Sequence, residues 1–170
     1  PARLHGEKST GGKAEFLILD PPKINKLDFE VMIKCRGTKK IGDSFKFKQL
    51  KLPIIATITE ILTNSFCVNF DRDIVELINE QGQIPIPPYI RGGESDDQDK
   101  KNYQTVFANL TGSVAAPTAG LHFSENLITE LINNGHHFAK TCLHVGMGTF
   151  LPVKSENLND HQMHSEKFFI

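Results

Sequence analysis

At 170 residues, with 39% hydrophobic and 23% charged residues and a formal net charge of -1, the chain has the composition of a folded protein and not of a disordered tail. The length admits one generous domain or two small ones. No apolar run approaches the roughly 20 residues that a membrane-spanning helix needs, and no charged-then-apolar leader is expected. The near-zero net charge hides an asymmetry. Residues 1–60 hold 12 Lys and Arg against 7 Asp and Glu, whereas residues 61–170 hold 7 against 13. A polyanion would favour the first part, although solvated lysines on strand faces give the same composition.

Up to about residue 70 the pattern is of short strands divided by turn signals. Glu15 to Leu19 follows a Gly11-Gly12 turn and stops at Asp20-Pro21-Pro22. Phe29 to Cys35 alternates apolar and polar residues until Arg36-Gly37 breaks it. Gly42-Asp43 leads into Ser44 to Lys48, with Phe45 and Phe47 on one face and Lys46 and Lys48 on the other. Ile54 to Leu62 is a longer β-branched strand, and Asn64-Ser65 turns it into Phe66 to Phe70. Short strands with no helix between them predict a small closed β-barrel over residues 1–70, with one face filling the interior and the lysines toward water.

The pattern changes at residue 71. Asp71 or Asp73 can cap a short helix carrying Ile74, Leu77 and Ile78 on one face, with Gly82 beyond its end. Ile84 to Ile90 is held extended by Pro85, Pro87 and Pro88. Gly92 to Lys101 reads as a polar, acidic loop, and Tyr103 to Leu110 fits either a strand or a helix. Ser124 caps a clear helix, with Glu125 in its first turn and Leu127, Ile128, Leu131 and Ile132 as the expected buried stripe. Asn134-Gly135 ends it, Phe138 to Val145 reads as a strand, and Phe168-Phe169-Ile170 as an interrupted one. This alternation predicts an α/β unit over residues 71–170. The start at Pro1 and the apolar end suggest a piece of a longer protein.

The chemistry-bearing residues fall in four blocks: Tyr103 to Ala108, Gly112 to Phe123, Leu143 to Phe150 and His161 to Glu166. Small residues let a backbone approach a ligand closely, and histidines supply protons near neutral pH. Four of the seven histidines lie here: His122, His144, His161 and His164. His122 precedes the helix cap Ser124, and His144 ends a strand just before Gly146 and Gly148, where loops of α/β sheets usually carry chemistry. A structural role for each histidine is the plainer alternative. Backbone N–H groups and the hydroxyls of Ser113, Thr118 and Thr149 can hold a carboxylate or ribose hydroxyls. Tyr103, Phe107 and Phe123 can stack on a base or serve as core. The spacing His161-x-x-His164-x-Glu166 invites comparison with a zinc site, but nothing in the chain completes a ligand set, so no metal is expected. No Gly-x-x-x-x-Gly-Lys or Gly-x-Ser-x-Gly stands in the sequence, which disfavours a nucleotide triphosphatase and a serine hydrolase.

Cys35, Cys67 and Cys142 lie far apart in strand-like runs. An odd count without a Cys-x-x-Cys pair argues for buried free thiols in a reducing, cytoplasmic setting.

The four blocks, in order, resemble the QueA family, the S-adenosylmethionine:tRNA ribosyltransferase-isomerases of queuosine biosynthesis. The resemblance extends upstream to Pro1-Ala2-Arg3-Leu4, Thr10-Gly11-Gly12-Lys13 and Ile86 to Ile90, so it covers essentially the whole chain, and Gly112 to Phe123 is its most specific block. Phe29 and Cys35 stand where tryptophan and proline are usual, and Leu151 where a polar or basic residue often precedes Pro152-Val153. Family members extend beyond both ends.

The resemblance implies a small closed β-barrel inserted into an α/β layered, Rossmann-like domain that continues outside this chain. It implies S-adenosylmethionine as co-substrate, a tRNA carrying a 7-deazaguanine precursor at the wobble position as partner, and a monomer. His122, His144, His161 and His164 are then the acid–base candidates. Tyr103, Gln104, Thr105, Ser113, Thr118, Gly120, Gly146, Gly148 and Thr149 are the candidate S-adenosylmethionine contacts. A non-catalytic RNA-binding barrel and a metal-dependent hydrolase are the competing readings.

Overall fold

In the computed structural model, which describes residues 2–48, 52–86, 89–96, 98–150, 155–161 and 163–169, six strands form a closed antiparallel barrel. They are β1 (Ala2–Lys8), β2 (Lys13–Ile18), β3 (Asp28–Cys35), β4 (Ser44–Phe47), β5 (Ile54–Ile61) and β6 (Phe66–Phe70), paired around the barrel in the order β1-β2-β3-β6-β5-β4. Helix α1 (Val75–Gln81) follows. The chain divides into two compact units, Pro1–Asp96 and Asp97–Ile170. Pro1, Pro87, Pro88, Leu151 and Ile170, which enter the expectations above, lie outside the described residues.

Period-2 alternation directs Phe16, Phe29, Phe45, Phe47 and Phe70 inward, and each is essentially fully buried. Phe16 meets Phe45 and Phe47 edge-on with centroids 5.0 Å apart, and Phe29 meets Phe70 in the same way at 5.7 Å. Such pairs contribute about 0.5–1.5 kcal/mol each beyond their buried area. Ile74 and Leu77 of the α1 segment join this same core. The Asp73 carboxylate accepts the Val75 N–H at 2.7 Å and so starts α1.

Strand β1 is absent from the sequence reading, which begins its strands at Glu15. Its inward residues are Ala2, Leu4 and Gly6, so Leu4 is the one large apolar side chain it buries. At Gly6 the structure leaves no room for a side chain. A Cβ on Gly6 would sit 2.9 Å from the Lys46 carbonyl and from the Phe47 ring. Between β1 and β2, Gly11 and Gly12 take φ of +92° and +101°, which suits glycine in a tight reversal. The barrel closes where Glu7 pairs with Lys46 and Lys8 with Phe45. A bulge between Ile58 and Glu60 kinks β5 against β6. Phe29 and Cys35, the two departures from the family pattern, both belong to β3.

Beyond the barrel, Gln83 exchanges backbone hydrogen bonds with Arg3 at 2.8 and 2.9 Å. The Arg3 guanidinium donates to the Gly93 carbonyl and pairs with Glu15 at 3.1 Å. The expected acidic loop is flanked by local helical structure, a 3-10 turn at Arg91–Gly93 and the short helix α2 (Asp99–Asn102). Tyr103 to Leu110 is neither strand nor helix but a series of turns, one of them closed by the Ala108 N–H donating to the Thr105 carbonyl at 3.1 Å.

In the second unit, Ser124 caps α3 (Glu125–Asn133) by accepting the Leu127 N–H at 3.1 Å. The expected buried stripe is not buried: Leu127, Ile128 and Leu131 are half-covered and Ile132 is exposed. No broad sheet among the described residues of this unit faces them. The strand expected over Phe138 to Val145 shortens to β7 (Cys142–His144), which pairs with β8 (Lys167–Phe169). Among the described residues no helix is long and apolar enough to cross a membrane. The three cysteines are free thiols but half-buried and not fully buried. Burial pushes the Cys67 thiol up, and Glu60 and Glu30 beside it push the same way.

One electrostatic clamp sits at the barrel seam. Lys8 Nζ pairs with Asp43 at 2.7 Å and donates to the Thr38 carbonyl at 2.9 Å, while Asp43 accepts the Lys40 N–H at 2.9 Å. The Lys8 hydrogen bond first, then the Lys40 N–H, hold the Asp43 carboxyl below its ordinary 3.8. A depressed carboxyl adds stability that is full above its ordinary value and is lost as pH falls through the lower folded value. The parent should therefore exceed an Asp43→Asn variant in urea stability at neutral pH. That gap should close as pH drops below about 3.8. Urea unfolding midpoints from pH 7 down to pH 2.5 or so check this.

Candidate functional site

The second unit carries the four candidate histidines, and the described contacts place three of them, His122, His144 and His164, in two groups. The first is built around β7 and the turn after it. Ser113 Oγ donates to the Leu143 carbonyl at 3.0 Å and accepts the Val145 N–H at 3.1 Å. The Val114 N–H donates to the Val145 carbonyl at 2.8 Å, and Val114 is buried. These bonds dock the Gly112–Val114 segment beside the strand end that bears His144. Gly112, at φ +153°, lies against the His144 ring, and a Cβ there would run into Nδ1 and Cε1. The other flank of His144 packs edge-on to Phe169 at 5.4 Å.

The next turn repeats the device. The Gly146 N–H donates to Glu166 Oε2 at 2.7 Å, and Glu166 Oε1 faces His164 Nε2 at 3.2 Å. Gly148, in the 3-10 turn Met147–Phe150, lies against His164, where a Cβ would overlap Cγ and Cδ2. Glycine is needed at Gly112 and Gly148 because a histidine ring occupies the space of a side chain.

The second group surrounds His122. Its ring lies tilted against Phe123 at 4.4 Å, and Phe123 in turn meets Phe107 edge-on at 5.4 Å. These aromatics pack on one another, with Phe123 half-buried and Phe107 and His122 exposed. Gly120 closes the 3-10 turn Thr118–Gly120 with Thr105 and Phe107 within 3.5 Å of where its Cβ would stand. Thr105 is buried, and among the described residues its Oγ1 has no hydrogen-bond partner. A buried hydroxyl left unsatisfied is costly in a closed fold and is a point where a ligand atom can supply the bond.

Of the other expected contacts, Tyr103 follows α2, and the Gln104 side-chain oxygen accepts the Thr105 N–H at 3.3 Å. Thr118 and Thr149 are exposed. His161 is half-buried, and among the described residues no hydrogen bond or ion pair joins it to His164. Among those same residues no three His, Cys, Asp or Glu side chains converge as metal ligands would. Sequence reading weighed Glu166 within a metal-like spacing and, with Asp99, as the acid–base candidate should the histidines fail, but not as a partner of Gly146. The place of Glu166 two residues after His164 gives no sign that it bridges to Gly146.

In the second unit His144, His164 and Glu166 are thus seated against glycine-rich turns, and loops of this kind are where reactive groups are commonly held. The chain belongs to the family described as queuosine biosynthesis protein, which matches residues 1–170. It is 41% identical over 170 residues to the S-adenosylmethionine:tRNA ribosyltransferase-isomerase of Legionella pneumophila (strain Corby), covering 100% of this chain and 49% of that protein. It is 44% identical over 172 residues to the enzyme of the same name from Staphylococcus haemolyticus (strain JCSC1435), covering 99% and 48%. A third, from Natranaerobius thermophilus, is 40% identical over 170 residues. The chain spans about half the length of the curated relatives it matches. This membership agrees with the resemblance carried by the four sequence blocks.

The glycine contacts are testable by substitution. Gly112→Ala and Gly148→Ala should each displace a histidine ring, His144 and His164 respectively. Each should also cost about 1–3 kcal/mol of stability, the usual range for overpacking. Ring resonances followed by NMR, with urea unfolding alongside, check both effects. Unmoved rings would show that the close approach is not a constraint.

Proposed function

We propose that this chain is part of an S-adenosylmethionine:tRNA ribosyltransferase-isomerase. In that reaction the ribosyl part of S-adenosylmethionine moves to the aminomethyl group of a 7-deazaguanine at the tRNA wobble position. Rearrangement gives epoxyqueuosine-tRNA and releases adenine and methionine. Family membership over the whole chain carries this reading and disfavours both a bare RNA-binding barrel and a metal-dependent hydrolase.

The reaction needs groups that move protons near neutral pH. A sulfonium acidifies the C–H beside it, so a base can begin the reaction. Adenine needs a proton as it leaves, and the amine must be neutral to attack. Histidine suits each task. We assign these tasks among His122, His144, His161 and His164. Thr105 Oγ1, buried and unpaired, suits a hydroxyl or carboxylate of S-adenosylmethionine. Tyr103, Gln104, Ser113, Thr118, Gly120, Gly146, Gly148 and Thr149 are assigned to the same co-substrate, with no metal required. In the whole protein, the barrel of residues 1–70 would be an insertion, and residues 71–170 would form part of an α/β layered, Rossmann-like catalytic domain. The protein would act in the cytoplasm as a monomer.

Partner binding would draw on the basic first part. Lys34, Arg36, Lys40, Lys46 and Lys48 are exposed, and Lys39 Nζ lies 5.9 Å from the Phe66 ring centroid. Lys48 has an ion-pair contact with Glu7 at 3.7 Å, but both side chains are exposed, so little holds it there.

Two measurements on the full-length enzyme test this function. Single-turnover adenine release from S-adenosylmethionine, in the presence of the precursor tRNA, should fall about 10²–10⁴-fold when an acid–base histidine becomes alanine. Parent-like rates in all four variants would remove histidine from the chemistry. Charge reversal at Lys34, Arg36 and Lys40 should weaken tRNA binding and shallow its salt dependence by roughly 0.9 in slope per lost phosphate contact. An unchanged affinity and slope would place the RNA contact elsewhere.

A further inference from the structure

Glu166 is the one carboxylate tied to both a histidine and a glycine-rich turn among the described residues of the site. Oε2 accepts the Gly146 N–H at 2.7 Å. Oε1 is buried, makes no regular hydrogen bond and faces His164 Nε2 at 3.2 Å. The carboxylate side chain is 18% exposed and the histidine 40%, so the acid is sequestered while the imidazole remains reachable. Gly148 closes over Cγ and Cδ2 of the ring, the edge that leads to Nε2. Nδ1 is on the other edge.

We infer that Glu166 is a positioning residue that fixes the tautomer of His164 and so presents Nδ1 as the proton-transfer atom. This inference rests on the proposed function. An ionised carboxylate can only accept hydrogen bonds, so for Oε1 and Nε2, 3.2 Å apart, to bond as the side chains settle, Nε2 carries the proton. In the neutral ring the other nitrogen, Nδ1, is then the unprotonated acceptor. It can take a proton from the C–H beside the sulfonium, and the imidazolium formed can return one to the departing adenine. The carboxylate steadies that imidazolium without taking its proton, as an orienting acid does beside a catalytic histidine. The bond from Gly146 N–H prevents Glu166 from turning away. One side chain thus links the histidine to the Gly146–Gly148 turn.

Glu166→Gln separates this role from a structural one. The amide oxygen can still accept from Gly146 N–H, which turns the NH2 group toward His164 Nε2. A donor facing Nε2 moves the ring proton to Nδ1, and the acceptor is lost. In full-length enzyme, the ring nitrogen shifts of His164 should show Nε2–H in the parent and Nδ1–H in E166Q. Adenine release should fall about 10²–10⁴-fold, the range for an acid–base group. S-adenosylmethionine binding by calorimetry should be retained. The H164A/E166Q double variant should be no slower than H164A, because Glu166 acts only through that ring. A parent-like rate in E166Q, an unchanged tautomer, or additive losses in the double variant would each overturn the inference. If the parent itself releases no adenine with precursor tRNA, the functional reading falls instead. The tautomer of parent and E166Q then decides the role of Glu166 by itself. Should E166Q fail to fold, Glu166→Asp replaces it. The shorter acid cannot span Gly146 N–H and Nε2 together, so parent-like release and an Nε2–H ring there would overturn the inference.

Discussion

A six-stranded sheet with one apolar face leaves that face wet and two edges unpaired, and in the first unit a single short pairing removes both problems. Only Glu7 with Lys46 and Lys8 with Phe45 join β1 to β4 in the ladder, yet they turn an open sheet into a closed barrel. The seam is extended by the Ser9 N–H donating to the Ser44 carbonyl at 2.9 Å and is clamped by the Lys8–Asp43 pair. Closure also sets the space available inside. A Cβ on Gly6 would meet the Phe47 ring, and Ala2, Ala14 and Ala56 share the dense interior with five phenylalanines.

The second unit is organised by another principle. Val114 and Thr105 are its buried residues among those described, and α3 has no fully covered position. Order at the site comes instead from close approach and from hydrogen bonds to the backbone. Ser113 staples two segments through one hydroxyl, and Glu166 staples a turn to a histidine. Such links fix a few atoms in place without a large apolar core beneath them. Loops that carry chemistry are commonly built this way, since reacting groups must stay reachable while their orientation is held.

The barrel was legible because its signal is local. Alternation in Phe29 to Cys35 or Ser44 to Lys48 is a property of a strand buried on one face, and it survives without knowledge of the partner strand. The α3 cap was legible for the same reason, because Ser124 bonds three residues along the chain. The stripe of α3 misled. Leu127, Ile128, Leu131 and Ile132 have the spacing of a buried face, but spacing says where a cover would lie and not whether one is present. Phe138 to Val145 misled in a related way. β-propensity describes fitness for a pleated surface, while the length of β7 is set by β8, which offers only three partners.

The chemistry of the site divides along the same line. Residue types alone pointed to the family, because histidines among glycines and hydroxyls in four ordered blocks are a pattern of composition and order. Which histidine meets which glycine depends on contacts such as Gly112 with His144 and Gly148 with His164, whose partners are 16 or more positions apart. Glu166 meets Gly146 across 20 positions. No periodicity encodes those distances, since they follow from how turns pack against β7 and β8. The sequence by itself therefore determined most of the barrel strands, the α3 cap and the family, all of which rest on local pattern and order. The tertiary structure alone decided which groups touch, because contact between distant residues is a property of packing.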